Sequence, residues 1–343
     1  MKKIKILISI ILLMFLLFTS SCSNKENNTI PTSKQYINAK SYIVLDQISG
    51  RILEGQNTEL RVLPASTTKI LTCLTVINYF DINNYIVITK DMINTVGSRI
   101  YLEEGDIIKI KDLLYGLMLN SGNDASISLA IGLTGNTKNF VYLMNEECKR
   151  IGMYNSTFEN PSGLDETSKN ITTAYDMALL MRSAMNNKVF REITNTKEYQ
   201  AVLLNGRKLY FNNKHKLVLI NDLVIGGKTG YTKKAGRTLI TSYKKDKFEI
   251  VVATFDCAND WEVHNNLANE AFNNYKQIKL TNSFKIFQVT NIKNISEKLL
   301  FPISENENKN DFNITVNEVN NEYYLSYYKN NLFVAKVKLK ENE

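Results

Sequence analysis

PASTTKILTC (residues 64–73) sets a serine and a lysine three places apart at the mouth of a helix. The residues after Lys69 are mostly apolar: Ile70, Leu71, Cys73, Leu74, Val76, Ile77 and Phe80. A helix that is apolar on nearly all sides belongs in a core, so Lys69 carries an amine into apolar surroundings. Residues i and i+3 share one helix face, which brings that amine within reach of the Ser66 hydroxyl. Burial disfavours the charged form of lysine and lowers its pKa, and a neutral amine can take a proton from a nucleophilic hydroxyl. Pro64 and Ala65 precede the helix, whose first N–H groups point at any negative charge developing there. Alone, Ser-x-x-Lys is a weak signal, because chance copies occur in many proteins.

Upstream, Lys2, Lys3 and Lys5 are followed by an apolar run from Ile6 to Phe18. That run is short for a membrane span and suits the core of a secretory signal, so residues 1–21 read as a signal peptide. LLFTSSC (residues 16–22) resembles a bacterial lipoprotein signal, which implies a diacylglyceryl group on the sulfur of Cys22 and a lipid anchor in the membrane. Thr19 stands where leucine is usual, and ordinary signal cleavage is the alternative. Residues 22–40 are polar and unpatterned, like a flexible tether. The formal charge of +8 includes the three leader lysines. The remainder is spread without a basic block, which argues against a nucleic-acid partner and allows attraction to an anionic cell surface. Four cysteines do not make a disulfide framework in a chain of 343 residues. Cys73, in the apolar helix, reads as a small buried hydrophobe.

Downstream, the expected organisation is one large domain and something small. Apolar content of 44% and charged content of 22% describe an ordinary globular protein. SYIVLDQISGRILEG (residues 41–55) reads as a hairpin turning at Ser49-Gly50. Helical patterns dominate from Ser66 to about Asn187, one of them opened by a Thr173/Asp176 capping box. Strand signals return in DLVIGGKTG, RTLITSY and KFEIVVATF, the last two joined by a turn at Lys244–Lys247. A helix comes next, with Val263, Leu267, Ala271 and Tyr275 on one face. Strands at both ends with helices between predict an α+β fold whose antiparallel sheet is assembled from distant segments. The catalytic domain is expected at 41–278. Residues 279–343 alternate apolar and polar side chains and predict a small β-rich appendage, with Lys329-Asn330-Asn331 as a turn. There is no internal repeat.

The chemistry is narrowed by what the chain lacks. Only His215 and His264 exist, in no metal-like spacing, so a three-histidine zinc site is impossible and a serine–histidine–acid triad has few candidates. His264 falls in the amphipathic helix and reads as a solvated or partly packed residue rather than a base. Two further pieces complete the pattern begun at Ser66. Ser121-Gly122-Asn123 lies on a turn opening a helix, and Lys228-Thr229-Gly230 on a strand. Each is ordinary alone, as a helix cap and as a strand entering a turn; the three in this order behind a signal peptide are not.

The trio is that of penicillin-binding proteins and class A β-lactamases. Between Ser41 and Ile278 the chain resembles the low-molecular-mass penicillin-binding proteins that act as serine-type D-alanyl-D-alanine carboxypeptidases. PASTTK, YLEEGD, DLLYGLMLNSGNDAS, FENPSGLD, TTAYDMALL and GGKTGYTKKAGRTLI carry the resemblance. It implies an antiparallel sheet flanked by helices, a helical subdomain and an active site between them. By the same resemblance Ser66 attacks the carbonyl of the penultimate D-alanine of a peptidoglycan stem peptide, and Lys69 takes the proton. Ser121 relays a proton to the departing D-alanine, and Asn123 holds the substrate amide. Lys228 keeps the cleft positive, Thr229 binds the terminal carboxylate, and Gly230 completes the motif. Backbone N–H groups of Ser66 and Tyr231 form the oxyanion hole. β-Lactam antibiotics are the implied covalent inhibitors, the implied location is the outer face of the cytoplasmic membrane facing the wall, and no metal or organic cofactor is implied.

The chain departs from the family pattern in two places. Asn170-Ile171 stands where histidine and serine are usual before TTAYD, and Asn213-Lys214-His215 replaces an Asn-x-Asn segment. Lys214 reads either as a second carboxylate contact or as a solvated lysine. A β-lactamase is disfavoured because FENPSGLD, with Glu159, lacks the Glu-x-x-Leu-Asn pattern of a deacylating site. A transpeptidase or endopeptidase would use the same residues, and a catalytically inert wall-binding lipoprotein is the non-enzyme alternative.

Overall fold

The computed structural model describes residues 37–165, 169–280, 299–319 and 322–339; Cys22, the leader and most of the tether stretch lie outside them. Strands in chain order are β1 (Ala39–Asp46), β2 (Ile52–Gln56), β3 (Tyr85–Val87), β4 (Ile107–Lys109), β5 (Glu198–Val202), β6 (Lys208–Asn212), β7 (Val224–Thr232), β8 (Gly236–Lys245) and β9 (Phe248–Cys257). They continue as β10 (Tyr275–Lys279), β11 (Leu300–Ser304), β12 (Phe312–Val319), β13 (Glu322–Lys329) and β14 (Leu332–Lys338). Helices used below are α1 (Lys69–Tyr79), α2 (Asn123–Thr134), α3 (Ala174–Ala184) and α4 (Asp260–Asn274).

The central sheet has the order β2-β1-β9-β8-β7 and is antiparallel throughout. The first strand thus pairs with the last of the domain, the expected assembly from distant segments. Its strands are apolar on both faces because both faces are covered. Ile43, Leu45, Ile240, Val251, Ala253 and Phe255 join the helical core with α1 and α3, while Val44, Leu239 and Val252 alternate to the other side, where α4 packs. Helix α1 is buried from Lys69 to Val76, as its apolar sequence requires, and Cys73 is a buried free thiol within it. The Thr173 hydroxyl accepts the Asp176 N–H and caps α3. β1 opens at Ala39, two residues inside the stretch read as tether, because its backbone pairs with β9. The short pairs β3–β4 and β5–β6 escaped the sequence reading. The first is only three residues a side, and the second turns at Asn205-Gly206, with Gly206 at φ 84°.

Beyond α4 the chain passes into β10, which pairs with β11, and then into the β12-β13-β14 meander. Tyr275, expected on the apolar face of α4, instead opens β10, because the helix ends at Asn274 and the chain there pairs with β11. Phe312 and Ile314, Leu325 and Tyr327, Ala335 and Val337 alternate into one small core. Arg51, beyond the β1–β2 turn, joins this part to the large sheet. Its guanidinium donates to Pro302 O at 2.6 Å and to both carboxylate oxygens of Glu307 at 2.6 and 3.0 Å. It also lies over the rings of Tyr275, Phe301 and Phe312 at 5.2–5.5 Å. Lys329 closes on the same carboxylate at 2.8 Å.

Candidate active site

Ser66 sits in a single 3-10 turn (Ala65–Thr68) that runs directly into α1. Lys69 follows one turn later with no solvent exposure, and its Nζ has three neighbours: Ser66 Oγ at 3.0 Å, Asn123 Oδ1 at 2.8 Å and Ser162 O at 2.7 Å. As an ammonium it donates to all three. As a neutral amine it has two N–H bonds and one lone pair. Asn123 Oδ1 and Ser162 O can only accept, so they hold the two hydrogens and leave the lone pair facing the Ser66 O–H. Burial pushes the Lys69 pKa well below the usual lysine range, Lys228 and Lys214 push the same way, and Asp124 opposes them. Among the described residues no carboxylate bonds the amine, so burial and the neighbouring cations weigh against its charged form with only Asp124 opposing them.

The opposite wall is built by Ser121 and α2. Ser121 is buried and left-handed, at φ 60°, an unfavourable conformation for a non-glycine residue and a common mark of functional sites. Asn123 is the first residue of α2; its Oδ1 accepts from Lys69 and its Nδ2 donates to Val96 O at 2.6 Å. One N–H of that amide remains for a ligand.

The third wall is β7, the outermost strand of the sheet. Lys228 is buried with its Nζ on Thr229 O at 2.9 Å, and burial, then the charge of Lys214, lowers its pKa to about 7. The Lys214 side chain is exposed; partial desolvation lowers its pKa, and its Nζ reaches Ser98 Oγ at 3.3 Å, so it stands at the solvent-facing rim of the cleft. Thr229 is half-buried and the Tyr231 side chain is exposed. Gly230 is demanded by proximity. A Cβ there would lie 2.8 Å from Ser66 N, 3.0 Å from Thr67 N and 2.4 Å from Thr238 Oγ1, so only glycine lets the strand pass Ser66 this closely.

A loop behind Ser66 locks this arrangement. Gly163, at φ 88°, passes so close that a Cβ would stand 1.8 Å from Ala65 O. Pro161 O accepts from Thr72 Oγ1, and the Asn170 amide joins Thr68 Oγ1 to Asn160 O and to the N–H groups of Glu159 and Asn160. Asn170, noted in the sequence only as a departure, is thus a positioning residue. The Ser162 carbonyl had no side-chain signal by which sequence could find it. Glu159 is exposed and accepts the Lys169 N–H.

His264 is wholly buried, contrary to the solvated or partly packed residue expected. It bonds Thr241 and Thr254, and Thr241 also bonds His215 Nε2 at 3.0 Å. Burial lowers both histidines, His215 to about 3, so both are neutral. Neither touches Ser66. Among the described residues no acidic, histidine or cysteine cluster is arranged to hold a metal, and no helix is long and apolar enough to cross a membrane.

The sequence pattern of D-alanyl-D-alanine carboxypeptidases matches residues 27–259. The chain belongs to the D-alanyl-D-alanine carboxypeptidase family. It is 31% identical to the D-alanyl-D-alanine carboxypeptidase DacF of Bacillus subtilis over 73% of this chain and 65% of that protein. It is 30% identical to DacC of Escherichia coli over 65% of this chain and 58% of that one. The matched segment therefore spans about three fifths of these relatives' own length. Among solved structures, a Mycobacterium tuberculosis D-alanyl-D-alanine carboxypeptidase superposes with a TM-score of 0.66 at 29% identity, covering 71% of this chain and 95% of that one. Penicillin binding protein 6B of Escherichia coli shares the fold over 90% of this chain at a TM-score of 0.70 and 24% identity, which takes in the β-rich C-terminal part.

Proposed function

We propose that the protein is a serine-type D-alanyl-D-alanine carboxypeptidase that removes the terminal D-alanine from peptidoglycan stem pentapeptides and is acylated by penicillin. The observation that carries this is the Lys69 amine, buried without a counter-ion and held by two acceptors so that its lone pair meets Ser66. Ser66 Oγ attacks the penultimate carbonyl while its proton passes to Lys69 Nζ. The negative oxygen is met by the N–H groups of Ser66 and Tyr231, the proton goes on through Ser121 to the departing amine, and Asn123 and Thr229 hold the peptide. Lys228 pairs with the terminal carboxylate, whose charge favours the ammonium form. Water then frees the shortened peptide and Ser66. The outer edge of β7 supports this reading: no strand lies against it among the described residues, and beyond Gly227, whose N–H and carbonyl are taken by Thr194 Oγ1, an extended peptide can add to it as a strand.

The test is mass spectrometry of the purified protein with a pentapeptide ending in D-Ala-D-Ala. Loss of one alanine is expected; peptide dimers would make it a transpeptidase, and no product would remove the reading. Penicillin is expected on Ser66 and absent from Ser66→Ala, and an adduct on another residue would overturn the nucleophile.

The same reading includes export, cleavage of the leader and a lipid on Cys22 that holds the enzyme to the outer face of the membrane. Cells expressing Cys22→Ala are expected to secrete the protein or retain uncleaved precursor, while the wild type enters detergent extracts. Wild-type protein free in the medium with an N-terminus beyond Cys22 would overturn the anchor.

A further inference from the structure

The helix Lys188–Asn195 buries Phe190, Ile193 and Thr194 along one face. A threonine in a helix commonly gives its hydroxyl to the carbonyl four residues back, as Thr196 Oγ1 does to Glu192 O at 2.8 Å. Thr194 instead reaches across to β7. Its Oγ1 donates to Gly227 O and accepts from Gly227 N, both at 2.9 Å. One oxygen thus closes both backbone groups that a neighbouring antiparallel strand would pair. The approach is so close that a Cβ on Gly226 would stand 2.3 Å from Thr194 Cγ2. The same helix end is tied to the segment that carries Lys214. Asn213 Nδ2 donates to Thr194 O at 3.2 Å and to Thr196 O at 2.9 Å, and Asn213 Oδ1 accepts the His215 N–H. Thr194 therefore stands between the backbone beside Lys228 and the backbone beside Lys214.

The register of β7 follows from this contact. Residues Gly227 to Thr232 pair without a break with Thr241 to Gly236, and the irregularity of the strand lies upstream of Gly227. Successive residues in an antiparallel ladder turn their N–H and C=O to alternate sides. With Gly227 turned outward, Thr229 and Tyr231 are outward too, while the backbone of Lys228 and Gly230 faces β8. Tyr231 is the residue whose N–H the proposed oxyanion hole needs, and Thr229 is one of the two proposed to hold the peptide. Thr229 O also receives Lys228 Nζ at 2.9 Å, so the Thr194 hydroxyl and the cleft amine hold the strand on either side of Lys228. We propose that Thr194 is a positioning residue for the reaction: it closes the edge of β7 at Gly227, so that substrate pairing begins at Thr229 and Lys228 keeps its place beside it. This rests on the proposed substrate reading and adds to it what sets the register of the strand.

The test compares Thr194→Val, which keeps the shape and loses the hydroxyl, with Thr194→Ser, which keeps the hydroxyl. Penicillin acylation is followed by stopped flow against penicillin concentration, and unfolding midpoints are measured alongside. In Thr194→Val the concentration giving half the limiting rate is expected to rise about tenfold, the worth of one or two hydrogen bonds. The limiting rate, set by Ser66 and Lys69, is expected to stay close to that of the wild type, and Thr194→Ser to match the wild type in both. Thr194→Ala, which leaves room for a water at Gly227, carries the same comparison should the valine protein not fold. A valine or alanine protein that loses stability alone would overturn the positioning role. So would one whose limiting rate falls as far as its affinity, or a serine protein no better than the valine one. Release of D-alanine from the pentapeptide by the wild type is measured separately, so failure of the carboxypeptidase reading shows there and not in this comparison.

Discussion

Two parts of the molecule bury cations in opposite ways. At the cleft, Lys69 and Lys228 are enclosed with no carboxylate against either amine, and their pKa values fall. At the joint with the C-terminal part, Arg51 is enclosed with Glu307 against it and three rings around it. There the carboxylate shifts instead. Burial alone would raise the Glu307 pKa, but hydrogen bonds from Arg51 and Lys329 prevail and lower it to about 2. The same desolvation that makes an unpaired lysine reactive makes a paired arginine a fastening. Burying a charge is thus neither stabilising nor catalytic in itself; the partner decides.

The strongest way to break this comparison is at Lys69. Arginine cannot deprotonate usefully, so Lys69→Arg is expected to slow penicillin acylation about a thousandfold, within the range of general-base catalysis. Lys228→Arg, which keeps the charge, is expected to lose much less. Stopped-flow acylation rates decide it, and a fast Lys69→Arg protein would show that burial of this amine serves packing alone. At the joint the effect moves from rate to stability. Arg51→Ala leaves Glu307 enclosed without its main partner and is expected to cost roughly 3 kcal/mol in denaturant unfolding. Acylation below the melting range should be unchanged. A slowed acylation with unaltered stability would reverse the assignment.

pH sharpens the contrast: stability rises with pH at both groups, but in separate windows, where Lys228 sheds a cost and Glu307 gains a contribution. Lys228 has a folded pKa of about 7 against 10.5 when unfolded. Between those values the unfolded chain binds more protons, so this residue makes stability rise with pH across that window and is most costly below it. Binding runs the other way, since the charged amine holds the carboxylate, and kcat/KM is expected to fall as pH rises through about 7. In Lys228→Arg that alkaline limb should disappear; its persistence would assign the limb to another group. The smallest effect is at Glu307, whose folded pKa of about 2 lies below the ordinary carboxylate value of 4.5. Its contribution is complete above the unfolded value and is lost as pH falls toward the folded one. Acid titrations of wild type and Glu307→Gln should converge at the low end, and parallel curves would exclude the mechanism.

The α+β class, the Thr173 half of the expected capping box, the β8–β9 turn and the Ser-x-x-Lys, Ser-Gly-Asn and Lys-Thr-Gly strings were legible because each is written in side chains at fixed spacing; the Asp176 carboxylate instead accepts from Asn155 N and Ser156 Oγ. Ser162 and Gly163 work through backbone positions, and only assembled loops reveal them; Gly230 was legible as part of its motif, but its closeness to Ser66 N shows only in the fold. Arg51 was silent for a related reason: its partners Pro302 and Glu307 are remote in sequence, and a lone arginine after a glycine turn signals nothing. His264 misled because period alone assigns a polar residue to solvent, whereas Thr241 and Thr254 on neighbouring strands provide hydrogen bonds inside.

The outermost position of β7 carries one more consequence. A strand edge kept open for a peptide is open also to the same edge on a second copy of the chain. Such a pairing would bring two buried Lys228 amines and the Lys233–Lys234 corners toward each other with no anion between them. A peptide ending in a carboxylate meets no such repulsion. The edge is therefore sticky only toward chains that arrive with negative charge, and its openness does not become a route to fibres.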